Sequence, residues 1–303
     1  MIELEHAIEE FEAFLAAREC LSHNSLLSYH NDCEQFRLFL SKKNISQLEA
    51  INQAHLRAFL YHLKRDLEMK ATSMSRKVSC LKRFFSFVHQ QYQTQNWGEV
   101  LIFPRLEKRL PKYITERVLK KLFERAEKNK SFIGRRNFMM LHLMYVTGMR
   151  VSELVLLKNN QLRLDMGLIT ILGKGSKERL VPLPAYTIQL LEEYLQATRG
   201  ALLTRNKKIY SSDILFPVLY GKRIKHVTRQ AFWKYVKRLD RSIQKLSPHI
   251  FRHSLATHLL HKGVDLRSLQ MILGHEHLTT VEIYTHVDMS HLRAAYNKKH
   301  LRS

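Results

Sequence analysis

The sequence predicts a mainly α-helical protein in two parts: a small four-helix domain, then a mixed α+β domain with a small β-hairpin. Three observations predict this. The first 97 residues contain neither Gly nor Pro, which favours uninterrupted helices joined by polar links. Apolar residues in that stretch recur at helical spacing. Further on, LITIL, GKGSK and ERLVPLP set two β-rich runs around a Gly-bracketed turn, the pattern of a hairpin. A chain of 303 residues is long enough for two ordinary domains.

Taken in order, four apolar stripes mark the first domain. They are Leu4, Ile8, Phe11, Leu15; then Leu26, Tyr29, Cys33, Phe36, Leu40; then Leu56, Phe59, Leu60, Leu63; then Val78, Leu81, Phe85, Val88. The first domain is expected over 1–103, with a short extra helix allowed. FPRLEKRLPKYIT follows, with Pro104 and Pro111 bracketing a charged stretch. Proline disfavours helix at its own position and the one before, so 104–114 reads as a linker. The second domain is expected over 115–303. Its helices are expected near 115–129 and 134–146, and Thr147-Gly148-Met149 makes a turn. Arg150 then opens the helix RVSELVLLK. After the hairpin come helices at about 185–198 and 228–244. Ser247-Pro248 introduces the helix that carries His249, with proline at a tolerated early position. Helices at 265–273 and 279–286 and an amphipathic tail from Met289 to Ser303 complete the chain. No internal repeat or low-complexity segment is evident.

Charge is distributed unevenly. The net charge is +23. Residues 1–110 hold 15 Lys/Arg against 13 Asp/Glu, whereas 111–303 hold 35 against 14. A general solubility charge predicts no such split; a polyanionic partner does, nucleic acid first. The fourth helix also has a basic face, with Arg76 and Arg83 seven apart, Lys77 and Lys82 flanking, and Ser73 and Ser75 near its start. These suit phosphate contact, although an ordinary solvated face would look the same. Cys20, Cys33 and Cys80 have no CxxC spacing and read as free buried thiols in a reducing compartment. The acidic start MIELEHAIEE is not a signal peptide, and no apolar run reaches membrane-spanning length. A soluble, cytoplasmic, nucleoid-associated protein is expected.

The chemistry concentrates between His249 and Tyr284. His249 and Arg252 are three apart and share a helix face. A phosphodiester under attack gains charge on its non-bridging oxygens, which a cation must meet. Carboxylates around these motifs are few, so a paired-metal solution is not expected, and neither is a cofactor. Arginine is the other solution, because its planar fork matches phosphate oxygens and stays charged. Arg150 and Arg252 are the candidate clamp. Tyr284 is the candidate nucleophile, with His275 and His249 as possible proton carriers. Lys174, between Gly173 and Gly175 at the hairpin tip, could protonate the leaving oxygen, with Lys177 as rival. GKG here is no P-loop, because the GxxxxGK[ST] spacing is absent. His249 and His253 are four apart, but no third metal ligand is obvious. Glu153 reads as a buried or half-buried partner that orients a cation, rather than as an acid. Lys177 and Arg179 complete the expected DNA-contacting set.

TGMRVSEL, GKGSKERLVPLP, HIFRH and LGHEHLTTVEIYTH occur in the order and spacing of the tyrosine recombinases, the phage-integrase family. The match resembles the Xer-type enzymes that act on bacterial chromosomes. SHNSLLSYHNDCEQFRLFL and SRKVSCLKRFFSFV resemble that family's SAM-like DNA-clamp domain. The resemblance implies roles by position: Arg150, Lys174, His249, Arg252 and His275 around the nucleophile Tyr284. It implies a 3′-phosphotyrosine intermediate and strand exchange through a Holliday junction. It implies a homo- or heterotetramer with a related recombinase, joined by the C-terminal helix through Leu292, Ala295, Tyr296 and Leu301. It also implies a DNA translocase as regulator and a part in chromosome partition at cell division. Plasmid resolution and the integration of a mobile element use the same chemistry. Thr279-Thr280-Val281 and the terminal KKHLRS depart from the family's common pattern. Two other readings are a decayed, non-catalytic DNA-binding relative and a type IB topoisomerase. The intact set of six catalytic positions argues against the first, and the short chain with its full tail against the second.

Overall fold

A computed structural model describes residues 2–18, 21, 23–104, 113–173, 177–205, 208–240, 242–243 and 246–274. The chain divides into two compact units, Met1–Arg109 and Leu110–Ser303. Residues 105–112, which hold most of the expected linker, lie outside the described residues.

The first unit is built from α1 (Leu4–Arg18), α2 (His23–Ser41), α3 (Gln53–Arg65) and α4 (Ala71–Tyr92), with a 3₁₀ turn at Leu48–Ala50. The stripes read from the sequence face one another. Leu4, Ile8, Phe11, Leu15, Cys33, Phe36, Leu40, Leu56, Phe59, Leu63, Val78, Leu81, Phe85 and Val88 are all buried. Edge-on aromatic contacts tie the helices: Phe11 to Phe84 at 5.5 Å and Phe36 to Phe59 at 5.0 Å. Asn52 starts α3 by accepting from His55 N at 3.2 Å, while the His55 ring accepts from Asn52 N. Cys33 and Cys80 are free and buried, their Sγ atoms 3.6 Å apart.

The second unit is organised around α6 (Phe132–Thr147), which is apolar nearly all round and therefore enclosed. Helices α5 (Glu116–Glu127), α8 (Ala185–Glu193), α10 (Arg229–Leu239) and α11 (Pro248–His261) pack against it. Ser131 caps α6 through Gly134 N at 3.0 Å, and Gly148 ends it in the left-handed conformation, φ 61°. The expected hairpin is present as β2 (Leu168–Leu172) and β3 (Glu178–Pro182), antiparallel with Ile169 opposite Val181. A short strand β1 (Leu162–Arg163), not expected, makes the sheet three-stranded.

Four other details differ from the expectation. The helix opened by Arg150 is a single turn, α7 (Val151–Val155), rather than RVSELVLLK. Its continuation is diverted because neighbours take its backbone groups. The His226 ring bonds to the Val155 carbonyl at 2.8 Å, and Leu157 O accepts from Leu215 N at 2.9 Å. Helix α8 runs on past the expected end, through a π turn (Tyr194–Arg199) into α9 (Gly200–Leu202). Helix α10 stops at Leu239 rather than near 244, where Asp240 turns the chain by accepting from Ser242 N at 2.9 Å. Two small hairpins, β4 (Thr204–Arg205) with β5 (Lys208–Ile209) and β6 (Pro217–Tyr220) with β7 (Arg223–His226), occupy ground left as connection. The last described helix is α12 (Leu266–Leu273), capped by Asp265 through Ser268 N at 2.8 Å. The helix expected at 279–286 and the tail lie outside the described residues.

Candidate active site

The start of α7, strand β3, helix α11 and the C-terminal ends of α6 and α12 meet at a cluster of arginines. Arg150 precedes α7 and is held by Glu153, whose Oε2 accepts from the Arg150 backbone N at 2.8 Å. Glu153 Oε1 accepts from Arg150 Nη1 at 3.0 Å. The same carboxylate is paired from the other side with Arg179 of β3, at 2.7 Å to Nη2 and 3.2 Å to Nη1. The Arg150 side chain keeps 39% exposure, while those of Glu153 and Arg179 keep 6% and 7%. So one arginine of this trio reaches solvent, and the other two residues form a buried support.

Arg252 enters from α11. Its Nη1 donates to the carbonyl of Gly148 and its Nη2 to the carbonyl of Leu273. Both acceptors lie at helix C-termini, those of α6 and α12, where backbone partial charge is negative and suits a cation. Burial pushes the Arg252 guanidinium down to about 10, and the nearby charges of Arg150 and Arg179 add to that. It remains a cation at neutral pH. Burial pushes the Glu153 carboxyl up, but the Arg179 ion pair and the Arg150 hydrogen bonds outweigh it and hold it below the usual carboxylate range.

His249 is exposed in the first turn of α11, on the face that carries Arg252. The close approach of α6, α11 and α12 depends on Gly148. A Cβ there would lie 2.6 Å from Leu273 Cδ2 and 2.9 Å from Leu255 Cδ2. Chemically, two neighbouring guanidiniums held by a carboxylate have the charge and the planar forks that suit a phosphate group.

Arg150, Arg252 and Glu153 are thus brought together, and His249 lies one turn of α11 before Arg252; all four belong to the second unit. Lys174, His275 and Tyr284 lie outside the described residues. Lys177, at the end of the hairpin loop, is exposed. Arg179 departs from its expected place among the DNA contacts, because it is buried against Glu153 and the Ile272 carbonyl. Sequence reading placed Glu153 beside a cation but missed Arg179 as its second partner, 26 residues away. Only the R of KERLVPLP, on a strand whose neighbours are apolar, could have hinted at it.

In the first unit, the basic face of α4 is also divided. Arg76 is exposed and paired with Asp32, Ser73 is half-buried, and Lys82 lies over the Phe103 ring at 5.1 Å. Arg83 Nη1 donates to the Tyr29 hydroxyl at 2.8 Å. Lys77 does not lie on the open face: it is buried, with its ammonium 2.6 Å from Asp32 Oδ1. Among the described residues no helix is long and apolar enough to cross a membrane.

Comparison with known proteins gives the chain's family. Residues 112–291 match the phage integrase family, and residues 8–91 match the phage integrase N-terminal SAM-like domain. The chain is 36% identical over 304 residues to tyrosine recombinase XerD of Staphylococcus aureus, covering 99% of this chain and 100% of that protein. It is 37% identical over 307 residues to tyrosine recombinase XerD of Haemophilus ducreyi, covering 100% of each. Among solved structures, the XerH site-specific recombinase bound to difH substrate in a pre-cleavage complex is 25% identical. Its TM-score is 0.67, over 95% of this chain and 81% of that one. With both units matched to its domains, the chain belongs to the phage integrase family, as a site-specific tyrosine recombinase of the Xer type.

Proposed function

We propose that this recombinase acts on a duplex recombination site through Tyr284, with Arg150 and Arg252 receiving the scissile phosphate. The observation that carries the reading is that Arg252 is bonded to the Gly148 carbonyl, two residues before the solvent-reaching Arg150, with His249 exposed one helical turn from Arg252. The Tyr284 oxygen attacks phosphorus, a tyrosine–phosphate bond forms at the DNA 3′ side, and the bond to the 5′ oxygen breaks. The phenol proton passes to His249 or His275, and Lys174 supplies the proton to the leaving 5′ oxygen. The ester keeps the energy of the broken linkage, so rejoining runs without ATP. Glu153 orients Arg150 and does not touch DNA.

In the same reading, residues 1–103 form the clamp on DNA, 104–114 the linker and 115–303 the catalytic domain. Arg76, Lys82, Arg83 and Lys177 contact phosphates. Four protomers, alike or with a related recombinase, assemble through the C-terminal helix, under a DNA translocase. The protein works in the cytoplasm at the nucleoid, and identity to XerD proteins across the whole chain supports chromosome-dimer resolution as its task.

The test is a nicked suicide duplex carrying a Xer-type recombination site. The chain forms a covalent protein–DNA adduct on it, and Tyr284→Phe forms none. An adduct formed by Tyr284→Phe would overturn the choice of nucleophile.

A further inference from the structure

We propose that Arg179 is a positioning residue for strand cleavage, a buried guanidinium that sets the Arg150 turn, strand β3 and the end of α12 in one register. This rests on the reading that Arg150 and Arg252 receive the phosphate.

Arg179 serves acceptors in two directions at once. Its two Nη atoms face the two oxygens of Glu153, and its Nε donates to the Ile272 carbonyl at 3.2 Å. A planar fork can do this; a lysine ammonium, a single point on a flexible stem, cannot reproduce both directions together. The three linked elements each border a position the reaction uses. Glu153 holds Arg150. Strand β3 is joined to β2 by the segment that contains Lys174 in the sequence. Ile272 adjoins Leu273, whose carbonyl holds Arg252.

The chain leaving α12 also runs against Arg179. A Cβ on Gly274 would lie 2.8 Å from Arg179 Cδ, and Gly274 is left-handed, φ 65°. Arg179 is therefore packed against Gly274, the position just before His275 in the sequence.

Charge gives a second reason. Glu153 Oε1 is shared between Arg150 and Arg179. Were Arg179 absent, the whole carboxylate charge would fall on Arg150 and compete with the phosphate for it. With Arg179 present, that carboxylate is shared, and Arg150 is freer to meet a phosphate. Because the Arg179 side chain is only 7% exposed, it acts through these neighbours and not by touching DNA.

The test uses the full chain with saturating nicked duplex. It reads single-turnover cleavage, DNA affinity across a salt series, and melting temperature. Arg179→Met is expected to cleave about 10- to 100-fold more slowly, because a small misplacement of a positioned group costs up to about that much. Its affinity should stay within about threefold and its salt slope unchanged, because no phosphate contact is lost. Arg179→Lys should recover only part of the cleavage rate. In an Arg179→Met/Glu153→Gln double variant, the second change should add little, because the effect runs through Glu153. If Arg179→Met does not fold, Arg179→Lys carries the same three measurements.

Cleavage by the folded Arg179 variant at the parent rate, with or without a lower melting temperature, would overturn the proposal. So would a loss of affinity accompanied by a shallower salt slope. Arg150→Ala and Arg252→Ala separate the two levels of the reading. Parent-rate cleavage by both would remove the phosphate clamp itself, whereas inactivity of both beside an active Arg179→Met would remove only the role of Arg179.

Discussion

Arg252 donates to the carbonyl of Gly148, the residue that ends α6. The bond spans 104 positions of sequence, and it fixes one arm of the candidate phosphate clamp to the central helix of the second unit.

Replacing Gly148 therefore tests packing and site together. Gly148→Ala places a side chain in left-handed backbone, which costs about 1 kcal/mol. The new Cβ also collides with Leu273 and Leu255, and such overpacking costs about 1–3 kcal/mol more. Urea unfolding should show a loss of about 2–4 kcal/mol, and cleavage should fall because the Arg252 acceptor moves. An unchanged midpoint would contradict the close approach of α6, α11 and α12.

The acid limb of stability should report on Glu153. Its folded pKa is lowered, so its contribution is fully present above the unfolded value of about 4.3 and is lost as pH falls through the folded value. Glu153→Gln removes that dependence and leaves Arg179 buried without its counter-charge. Melting curves should show Glu153→Gln less stable at pH 7. The gap to the parent should narrow below about pH 4. A gap that widens with acid would contradict the ion pair.

The basic face of α4 should separate by salt dependence. Each phosphate contact contributes about 0.9 to the log–log slope of DNA affinity. Lys82→Ala and Lys177→Ala should each lower the slope by about that amount. Lys77→Ala should leave the slope alone and instead destabilise the first unit by about 2–4 kcal/mol, because it removes a buried partner of Asp32. A lower slope in Lys77→Ala would mean that its ammonium reaches DNA.

Ser254 joins the start of the second unit to the helix bearing His249 and Arg252. Its hydroxyl accepts from Ile114 N at 2.8 Å and donates to Ile250 O at 2.8 Å. Ser254→Ala leaves the Ile114 N–H buried without that acceptor and should cost about 1–3 kcal/mol. Hydrogen exchange at Ile114 should speed up. Unchanged protection would show that the contact does not hold the segment.

Much of the fold was legible in the residues. The stripes of α1–α4 needed only helical spacing and the long run without Gly or Pro. The β2–β3 hairpin was legible because its turn is marked by glycines. The small hairpins β4–β5 and β6–β7 were not, because their strands are two to four residues long and partly exposed, too short to show alternation. The length of α7 was not legible either. Nothing inside RVSELVLLK stops a helix; His226 and Leu215, some 60–70 residues later, take the groups that would have continued it.

The sequence by itself determined the periodicities, the order of the motifs and the concentration of positive charge after residue 110, because each depends on residue type and near spacing. Only the tertiary structure decided which cations face solvent. Lys77 and Lys82 look alike on paper, and so do Arg150 and Arg179. One of each pair is buried because a carboxylate from another element, Asp32 or Glu153, meets it there. Burying a charge costs too much unless a partner neutralises it, and no local pattern reveals a partner 26 or 45 residues away.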